Sequence, residues 1–386
     1  MSELIQPVPE QPERKRSHWR RWLIFGGISL VVLLLLAWFL LSGTTALDGL
    51  RRSLHYFGKL EDGYGSVSFE SYGVSGYSML NDGLAVASQG GVTLFSEAGE
   101  TVGKLQRNLN TPILAEKNEK LLLYDVGGTT WGVINKNGKM QFEQITAGTI
   151  FDADLAENHY SAVLYAGEDS LSTLEVYDDS GVLLYRLNAK SNYLNTCALS
   201  PNGEYVVVTA LGQEEISFSS LARVYRTDSE EMAVELPLGS QVVYDMAFLD
   251  NETICAIGTG SVVFFNIAGE RLGEYAFEDG DLTGYSFDGE GYVTLSMDLY
   301  QTGSRYLVVT LQPDGTVHST LQSEVSVLSI SASGSYVAVL TAQGLCIYDD
   351  GLQLRYQTQT DAVRVLVRAD GTAFLIGSGS AELYIP

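Results

Sequence analysis

Two hydrophobic patterns divide the chain. Near the N-terminus one uninterrupted apolar run, residues 22–41 (WLIFGGISLVVLLLLAWFLL), carries no charge. At about 1.5 Å per helical residue such a run reaches about 30 Å, one hydrocarbon core. After it, Leu47, Leu50, Leu54 and Phe57 recur on one helical face, which predicts a short amphipathic helix or linker within residues 42–60. From residue 65 to 386 the pattern changes to short β-rich runs between turn residues, with almost no helical period.

Two families of turn alternate along that body. The first includes Asn81-Asp82-Gly83, Lys117-Asn118-Glu119, Glu157-Asn158-His159, Pro201-Asn202-Gly203 and Ala332-Ser333-Gly334, each followed by a β run such as Tyr205-Val206-Val207-Val208. The second includes Glu97-Ala98-Gly99, Asn137-Gly138, Ser180-Gly181, Ala268-Gly269 and Asp349-Asp350-Gly351, each following a strand that ends in a bulky residue. Asn, Asp and Gly supply the positive-φ positions that short hairpins need. Members of the first family recur on average every ~41 residues, and four short strands per such unit is the period of a propeller blade.

The predicted fold is therefore all-β: a β-propeller of eight four-stranded blades, with seven as the alternative count, preceded by one N-terminal transmembrane helix. A four-stranded sheet cannot bury either face alone, and a stack of sheets leaves raw ends unless it closes. The chain ends suggest the closure. The last unit has three strands and then stops at Pro386, while residues 66–70 form a surplus strand before the first full unit. That strand is expected to complete the last blade.

Charge sharpens the division. The chain has 386 residues and a formal net charge of −24. Residues 1–21 hold five basic and three acidic side chains, a net of +2, so the body from residue 42 onward carries −26. The basic residues Arg14, Lys15, Arg16, Arg20 and Arg21 flank the apolar run on its N-terminal side. The positive-inside rule then predicts a cytoplasmic tail (1–21), a membrane-spanning signal anchor (22–41) and an extracytoplasmic propeller (65–386). The rival is a cleaved signal peptide ending near Thr44-Thr45-Ala46, but the apolar run exceeds the usual length of such a segment. A body this acidic excludes nucleic acid as a partner, because phosphates would be repelled.

The phrase Ser200-Pro201-Asn202-Gly203-Glu204-Tyr205-Val206-Val207-Val208 resembles the hairpin common in WD40-like and YVTN-like bacterial propellers. The Trp-Asp and Gly-His dipeptides of true WD40 repeats are absent. In layout, residues 20–386 are similar to single-pass, propeller-bearing surface proteins of Gram-positive, clostridia-like bacteria. These motifs imply a fold and no chemistry.

Candidate chemistry is sparse. His55, His159 and His318 are scattered, no HExxH occurs, and no Ser-His-Asp set is marked. Cys197, Cys255 and Cys346 fall on different kinds of strand in different units, which suits free buried thiols better than a disulfide framework. The acid pairs Asp152/Asp154 and Asp279/Asp281 near inner-strand starts could form a weak cation site, with solvated loop charge as the competing reading. No catalytic residue, cofactor or metal ligand is therefore assigned.

Two connections between the second and third strands of a unit look long: residues 167–172 and 212–220. They carry Glu168, Asp169, Glu214 and Glu215; the neighbouring arc adds Asp279, Asp281 and Tyr300. Loops on a rigid scaffold commonly carry recognition, so these seven residues are the expected partner-binding arc. The expected function is a membrane-tethered, non-enzymatic binding or scaffold module for a protein or cell-envelope partner, held in the bilayer by residues 22–41. The alternative is an extracytoplasmic hydrolase or lyase with a carboxylate site at the channel mouth.

Overall fold

The computed structural model describes residues 19–41, 48–60, 63–214, 217–229, 231–277, 280–299 and 305–386, with the side chains of all of these but 19–21, 37–41, 213, 214 and 217. The chain divides into two compact units, Met1–His55 and Tyr56–Pro386.

Among the described residues the first unit contains two helices, α1 (Trp19–Leu41) and α2 (Asp48–His55). Among the described residues no helix is long and apolar enough to cross a membrane. The side chains described in α1 cover residues 22–36, so the remainder of the expected span, 37–41, lies outside the described side chains. Helix α2 is shorter than the 42–60 segment expected. It carries Asp48 in its first turn and Arg52 and His55 in its last, the polarity that suits the helix dipole. Arg51 pairs with Asp48 at 3.0 Å one turn away.

The second unit is built of antiparallel four-stranded blades, two of which, blades 2 and 3 below, are joined into one sheet by a parallel bridge between Ile150 and Val126. Its first strand, β1 (Val67–Ser68), stands alone in sequence. Blade 1 follows as β2 (Val74–Leu80), β3 (Gly83–Ser88), β4 (Gly91–Phe95) and β5 (Thr101–Gln106). Blade 2 is β6 (Thr111–Lys117), β7 (Lys120–Val126), β8 (Thr130–Ile134) and β9 (Met140–Ile145). Blade 3 is β10 (Ile150–Leu155), β11 (Ser161–Tyr165), β12 (Ser172–Tyr177) and β13 (Leu183–Ala189). Blade 4 is β14 (Tyr193–Leu199), β15 (Tyr205–Glu214), β16 (Ser217–Arg226) and β17 (Met232–Gly239). Blade 5 is β18 (Val243–Phe248), β19 (Thr253–Gly258), β20 (Ser261–Asn266) and β21 (Arg271–Ala276). Blade 6 is β22 (Gly280–Gly289), β23 (Tyr292–Leu299), β24 (Arg305–Leu311) and β25 (Val317–Ser323). Blade 7 is β26 (Val327–Ser333), β27 (Tyr336–Thr341), β28 (Gly344–Asp349) and β29 (Leu354–Thr358). The final group is β30 (Arg364–Val367), β31 (Ala373–Ile376) and β32 (Ser380–Tyr384), with β1 as its fourth strand.

The surplus N-terminal strand thus sits where expected. Val67 is opposite Ala381 and Ser68 opposite Ser380. Only two of the five expected residues, 66–70, have strand geometry.

The packing explains why the second strand of each blade reads as continuous Val, Leu and Ile. In β7, Leu121 and Leu123 pack towards blade 1, while Leu122 and Tyr124 pack towards blade 3. In β15, Val206 and Val208 face blade 3 and Val207 faces blade 5. A strand buried on both faces has no use for a polar alternate position. Among the described residues, each pair of consecutive blades shares a hydrophobic cluster. A further cluster joins the last blade to the first, packing Phe374, Ile376 and Leu383 against Leu84, Val86 and Phe95. The stack of sheets is closed into a ring.

The first turn family also links neighbours. Asn118 Nδ2 donates to Glu157 O at 2.9 Å, Asn158 Nδ2 to Asn202 O at 2.7 Å, and Asn202 N to Asn251 Oδ1 at 2.9 Å. Asn at these tips therefore does two jobs. It tolerates the left-handed backbone at Asn118 (φ 47°), and its amide ties one blade's turn to the next.

Candidate functional site

The innermost strands β2, β6, β10, β14, β18, β22, β26 and β30 all line one central channel, of about 690 Å³. Apart from parallel bridges at Ile150, opposite Val126 of blade 2, and at Gly289, opposite Gly334, each inner strand is hydrogen-bonded on one side only, to the second strand of its blade. Its other edge leaves backbone groups that need partners. Side chains from the adjacent inner strand supply them. Ser75 Oγ donates to Pro112 O at 2.7 Å, and Asn195 Nδ2 donates to Val243 O at 2.7 Å. On the far side of the ring, the backbone N–H groups of Ala332, Val365 and Val367 donate to Ser286, Ser329 and Ser331 hydroxyls.

Bulges near the starts of these strands aim the bonding groups. The pairing register shifts between Ile150 and Asp152, between Val243 and Asp245, and between Val327 and Ser329. A bulge inserts one unpaired residue and redirects its neighbours. Here the skipped positions are Phe151, Tyr244 and Leu328, all exposed.

Three carboxylates of the channel belong to this system. Asp152 Oδ2 accepts from Thr196 Oγ1 at 2.6 Å and Cys197 N at 3.0 Å. Its Oδ1 accepts from Ala153 N at 2.9 Å and Tyr124 OH at 3.3 Å. Asp154 Oδ2 accepts from Leu199 N at 2.8 Å. Asp245 accepts from Tyr285 OH at 2.6 Å and Met246 N at 2.8 Å. Asp152 and Asp154 thus hold blade 3 to blade 4, and Asp245 holds blade 5 to blade 6. The Asp152/Asp154 pair is occupied by donors rather than arranged for a cation. Among the described residues no cluster of His, Cys, Asp and Glu suits a metal ion.

These carboxyls keep some surface towards the channel, yet protein surrounds them. Burial raises Asp154 to about 6, against the opposing effects of the Leu199 N–H and nearby Lys117. Burial raises Asp245 to about 7, helped by the charge of Asp152 and opposed by Tyr285 and Met246. Asp152 is raised by burial too, and its four donors oppose the rise. Lys117 stands among them, 3.7 Å from Asp288. Burial pulls its ammonium down, but Asp288, Asp154, Glu116 and Glu157 outweigh that and leave its pKa above the ordinary value.

The expected partner-binding arc lies on the opposite kind of connection. Glu168 and Asp169 are exposed in the loop between β11 and β12. Asp281 is also exposed, but it lies on β22 rather than in a loop. The expected long loop at 212–220 is instead mostly hairpin: β15 runs on to Glu214 and β16 starts at Ser217. A continued ladder satisfies backbone groups that a loop would leave to solvent. Glu215, Asp279 and Tyr300, and the side chain of Glu214, lie outside the described residues.

The sequence did contain a signal for the channel acids. Ile150-Phe151-Asp152 and Val243-Tyr244-Asp245 repeat one pattern, apolar-aromatic-Asp, at the same place in two blades. Lys117, Tyr124 and Tyr285 carry no such mark. Cys197 and Cys255 are buried and free, and Cys346 is half-buried and free. Burial raises the Cys197 and Cys255 thiols well above their ordinary pKa, as inert core thiols should be.

Ring closure, repeated four-stranded sheets and a central channel define a β-propeller. Residues 64–379 match the Family of unknown function (DUF5711), and the chain belongs to that family. The C-terminal WD40 domain of Sif2 is similar in structure, with a TM-score of 0.61 at 13% identity, covering 83% of this chain and 97% of that one. BamB from Moraxella catarrhalis is also similar, with a TM-score of 0.51 at 13% identity, covering 82% of this chain and 95% of that one. At such identities the likeness shows the fold alone. No curated protein matches the sequence.

Proposed function

We propose that this chain is an eight-bladed, non-enzymatic binding module, tethered to the cell membrane through residues 22–41 with its propeller outside the cell and its N-terminus in the cytoplasm. The observation that carries the reading is a division of labour. The channel carboxylates Asp152, Asp154 and Asp245 accept hydrogen bonds that join inner strands. The exposed acids Glu168, Asp169 and Asp281, by contrast, lie on the rim where the second-to-third-strand connections end. A rigid ring with adaptable rim connections is the usual arrangement for recognition. The tether rests on the uncharged run of residues 22–41 and its basic flank. The partner is a protein or another component of the cell envelope.

A second reading, a hydrolase or lyase acting through a channel carboxylate, has one observation in its favour. Asp154 and Asp245 have pKa values raised to about 6 and about 7, which suits a general acid near neutral pH. It ranks second because the same carboxyls accept structural hydrogen bonds from neighbouring strands.

Cross-linking at the surface of intact cells, followed by mass spectrometry, tests the first reading. A reproducible envelope protein joined to the 65–386 body is expected. Robust hydrolysis by the purified chain, abolished by Asp154→Asn without loss of folding, would favour the second reading.

A further inference from the structure

The junction that closes the ring is built differently from the others. The fourth strands of blades 1 to 7 are five to eight residues long. They lay side chains such as Tyr185 and Leu187, Leu236 and Leu238, or Tyr275 and Phe277 against the blade that follows. The fourth strand of the last blade, β1, has two residues. It contributes Val67 to the closing cluster, with Phe69 just beyond it. A groove of about 830 Å³ remains between this segment and the outer half of blade 1. Ser68, Phe69 and Glu70 form one wall; Thr93 on β4 and Thr101, Lys104 and Gln106 on β5 belong to the other.

The blade 1 wall is polar and unpaired. Val92 and Leu94 pack towards blade 2, so Thr93 and Phe95 point the opposite way, and Phe95 packs on the last blade. Lys104 is in register with Thr93. On the same face of other blades such cross-strand neighbours satisfy each other. Arg186 Nε donates to Glu175 at 2.6 Å in blade 3, and Arg223 Nε to Glu235 at 2.7 Å in blade 4, each pair in register. In blade 1 the side chains of Thr93, Thr101, Lys104 and Gln106 make no hydrogen bond or ion pair with another described residue.

The lining indicates the ligand. The chain carries −24 overall, yet the groove brings one open cation, Lys104, and one open anion, Glu70. Arg107 at its end is already held by Glu143, at 2.7 and 3.0 Å. Charge therefore does not select an ion. Threonine hydroxyls and a glutamine amide each donate and accept, which matches a ligand whose groups do both. Phe69, stacked edge-on against Tyr77, adds an aromatic wall, and a volume of this size is that of a small-molecule cleft. A sugar has this mixture: hydroxyls that donate and accept around the edge, and an apolar C–H face. We propose that the closing groove binds a neutral oligosaccharide, with Thr93, Thr101, Lys104 and Gln106 bonding its hydroxyls and Phe69 packing on its C–H face. The groove is separate from the exposed acids of blade 3, so this site goes beyond the binding-module reading and does not depend on it.

The test is isothermal titration calorimetry on the full chain in a sugar-free detergent. The probes are chitotetraose, cellotetraose, maltotetraose and mannotetraose. At least one should bind. Thr93→Val removes a hydroxyl at constant shape, Lys104→Met an exposed ammonium, and Phe69→Leu a ring while keeping apolar volume. Each should weaken that sugar about ten-fold, the worth of one bonded group, with the urea midpoint confirming that the variant folds. Lys136→Met, the same charge change on a blade 2 turn outside the groove, should leave binding unchanged. No binding of any of the four at about 5 mM sugar would overturn the site. So would sugar binding that Thr93→Val and Lys104→Met leave untouched. Tighter binding of an end-blocked, uncharged peptide of Ser, Asn and Val than of any sugar would overturn the class of ligand.

Discussion

Arg368 Nη1 donates to Glu97 Oε1 at 2.9 Å across the seam where the last blade meets the first. Their side chains are only 10% and 13% exposed. Tyr56 and Tyr64 hydroxyls donate to the two oxygens of the same carboxylate, each at 2.8 Å. Arg368 also donates to Tyr56 OH at 3.2 Å and lies over the Phe374 ring, 5.1 Å from its centre. The segment entering the propeller is thus bonded to both blades that close it. Removing one partner of a buried pair leaves the other charge uncompensated. Glu97→Gln and Arg368→Met should each lower the unfolding free energy of the 56–386 body by about 3 kcal/mol, read by urea titration.

Gly65 at the same seam has φ 74°, and a Cβ placed there would lie 2.5 Å from Leu383 Cβ. Its N–H donates to Ala98 O in blade 1 and its C=O accepts from Leu383 N in the last blade, both at 3.1 Å. Gly65→Ala should therefore destabilise by about 2 kcal/mol or more, combining backbone strain with a clash. Gly239→Ala is the control. It shares the positive φ (95°) but meets nothing within 4 Å, so it should lose only the strain, about 1–2 kcal/mol.

The channel carboxyls make stability depend on pH in an unusual direction. Asp154 and Asp245 have folded pKa values of about 6 and about 7, above the ~3.9 of an unfolded aspartate. The folded state therefore binds more protons than the unfolded state between those limits. Stability should rise as pH falls from 8 towards 5 and decline again as it climbs through 6 to 7. Because both carboxyls keep surface in the channel, the gain is about 1–3 kcal/mol rather than the full shift. Urea midpoints from pH 5 to 8 check this, and Asp245→Asn should flatten the upper part of the curve.

Cys197 and Cys255 are buried and free. A thiol reagent should leave both unmodified in the native chain and label them only after unfolding, with Cys346 the faster to react. Reducing agent should not shift the melting temperature.

Much of the fold is legible in the sequence because its signals are local. Asn81, Asn118, Gly203 and Gly334 mark the turns, and the unbroken Val206-Val207-Val208 run marks a strand buried on both faces. The composite last blade follows from counting strands at both ends. The height of blade 4 is not legible, since Gly212, Gln213 and Glu214 read as loop while only the partner strand reveals a ladder. Nor is the role of Asp152 and Asp154. Their i,i+2 spacing says that both face one way, but it takes the bulge at Phe151 and the neighbouring strand's Thr196, Cys197 and Leu199 to show what they bond. Positive φ is also misplaced in one turn: Asp349-Asp350-Gly351 points to the glycine, whereas Leu352 adopts it (φ 55°), its side chain held among Val337, Val339 and Tyr292.

The division between a structural channel and a recognising rim is tested most directly by comparing two variants of the full chain, Asp152→Asn and the double charge reversal Glu168→Lys with Asp169→Lys, for urea stability and surface cross-linking together. The expected result is a double dissociation. Asp152→Asn lowers the unfolding free energy by about 2–4 kcal/mol, as loss of a bonded buried carboxylate should, and leaves the cross-linked partner in place. The charge-reversed loop keeps its stability and loses the partner. If instead Asp152→Asn left stability intact while abolishing partner capture or a turnover of the purified chain, the channel would be the functional site and the account would be contradicted.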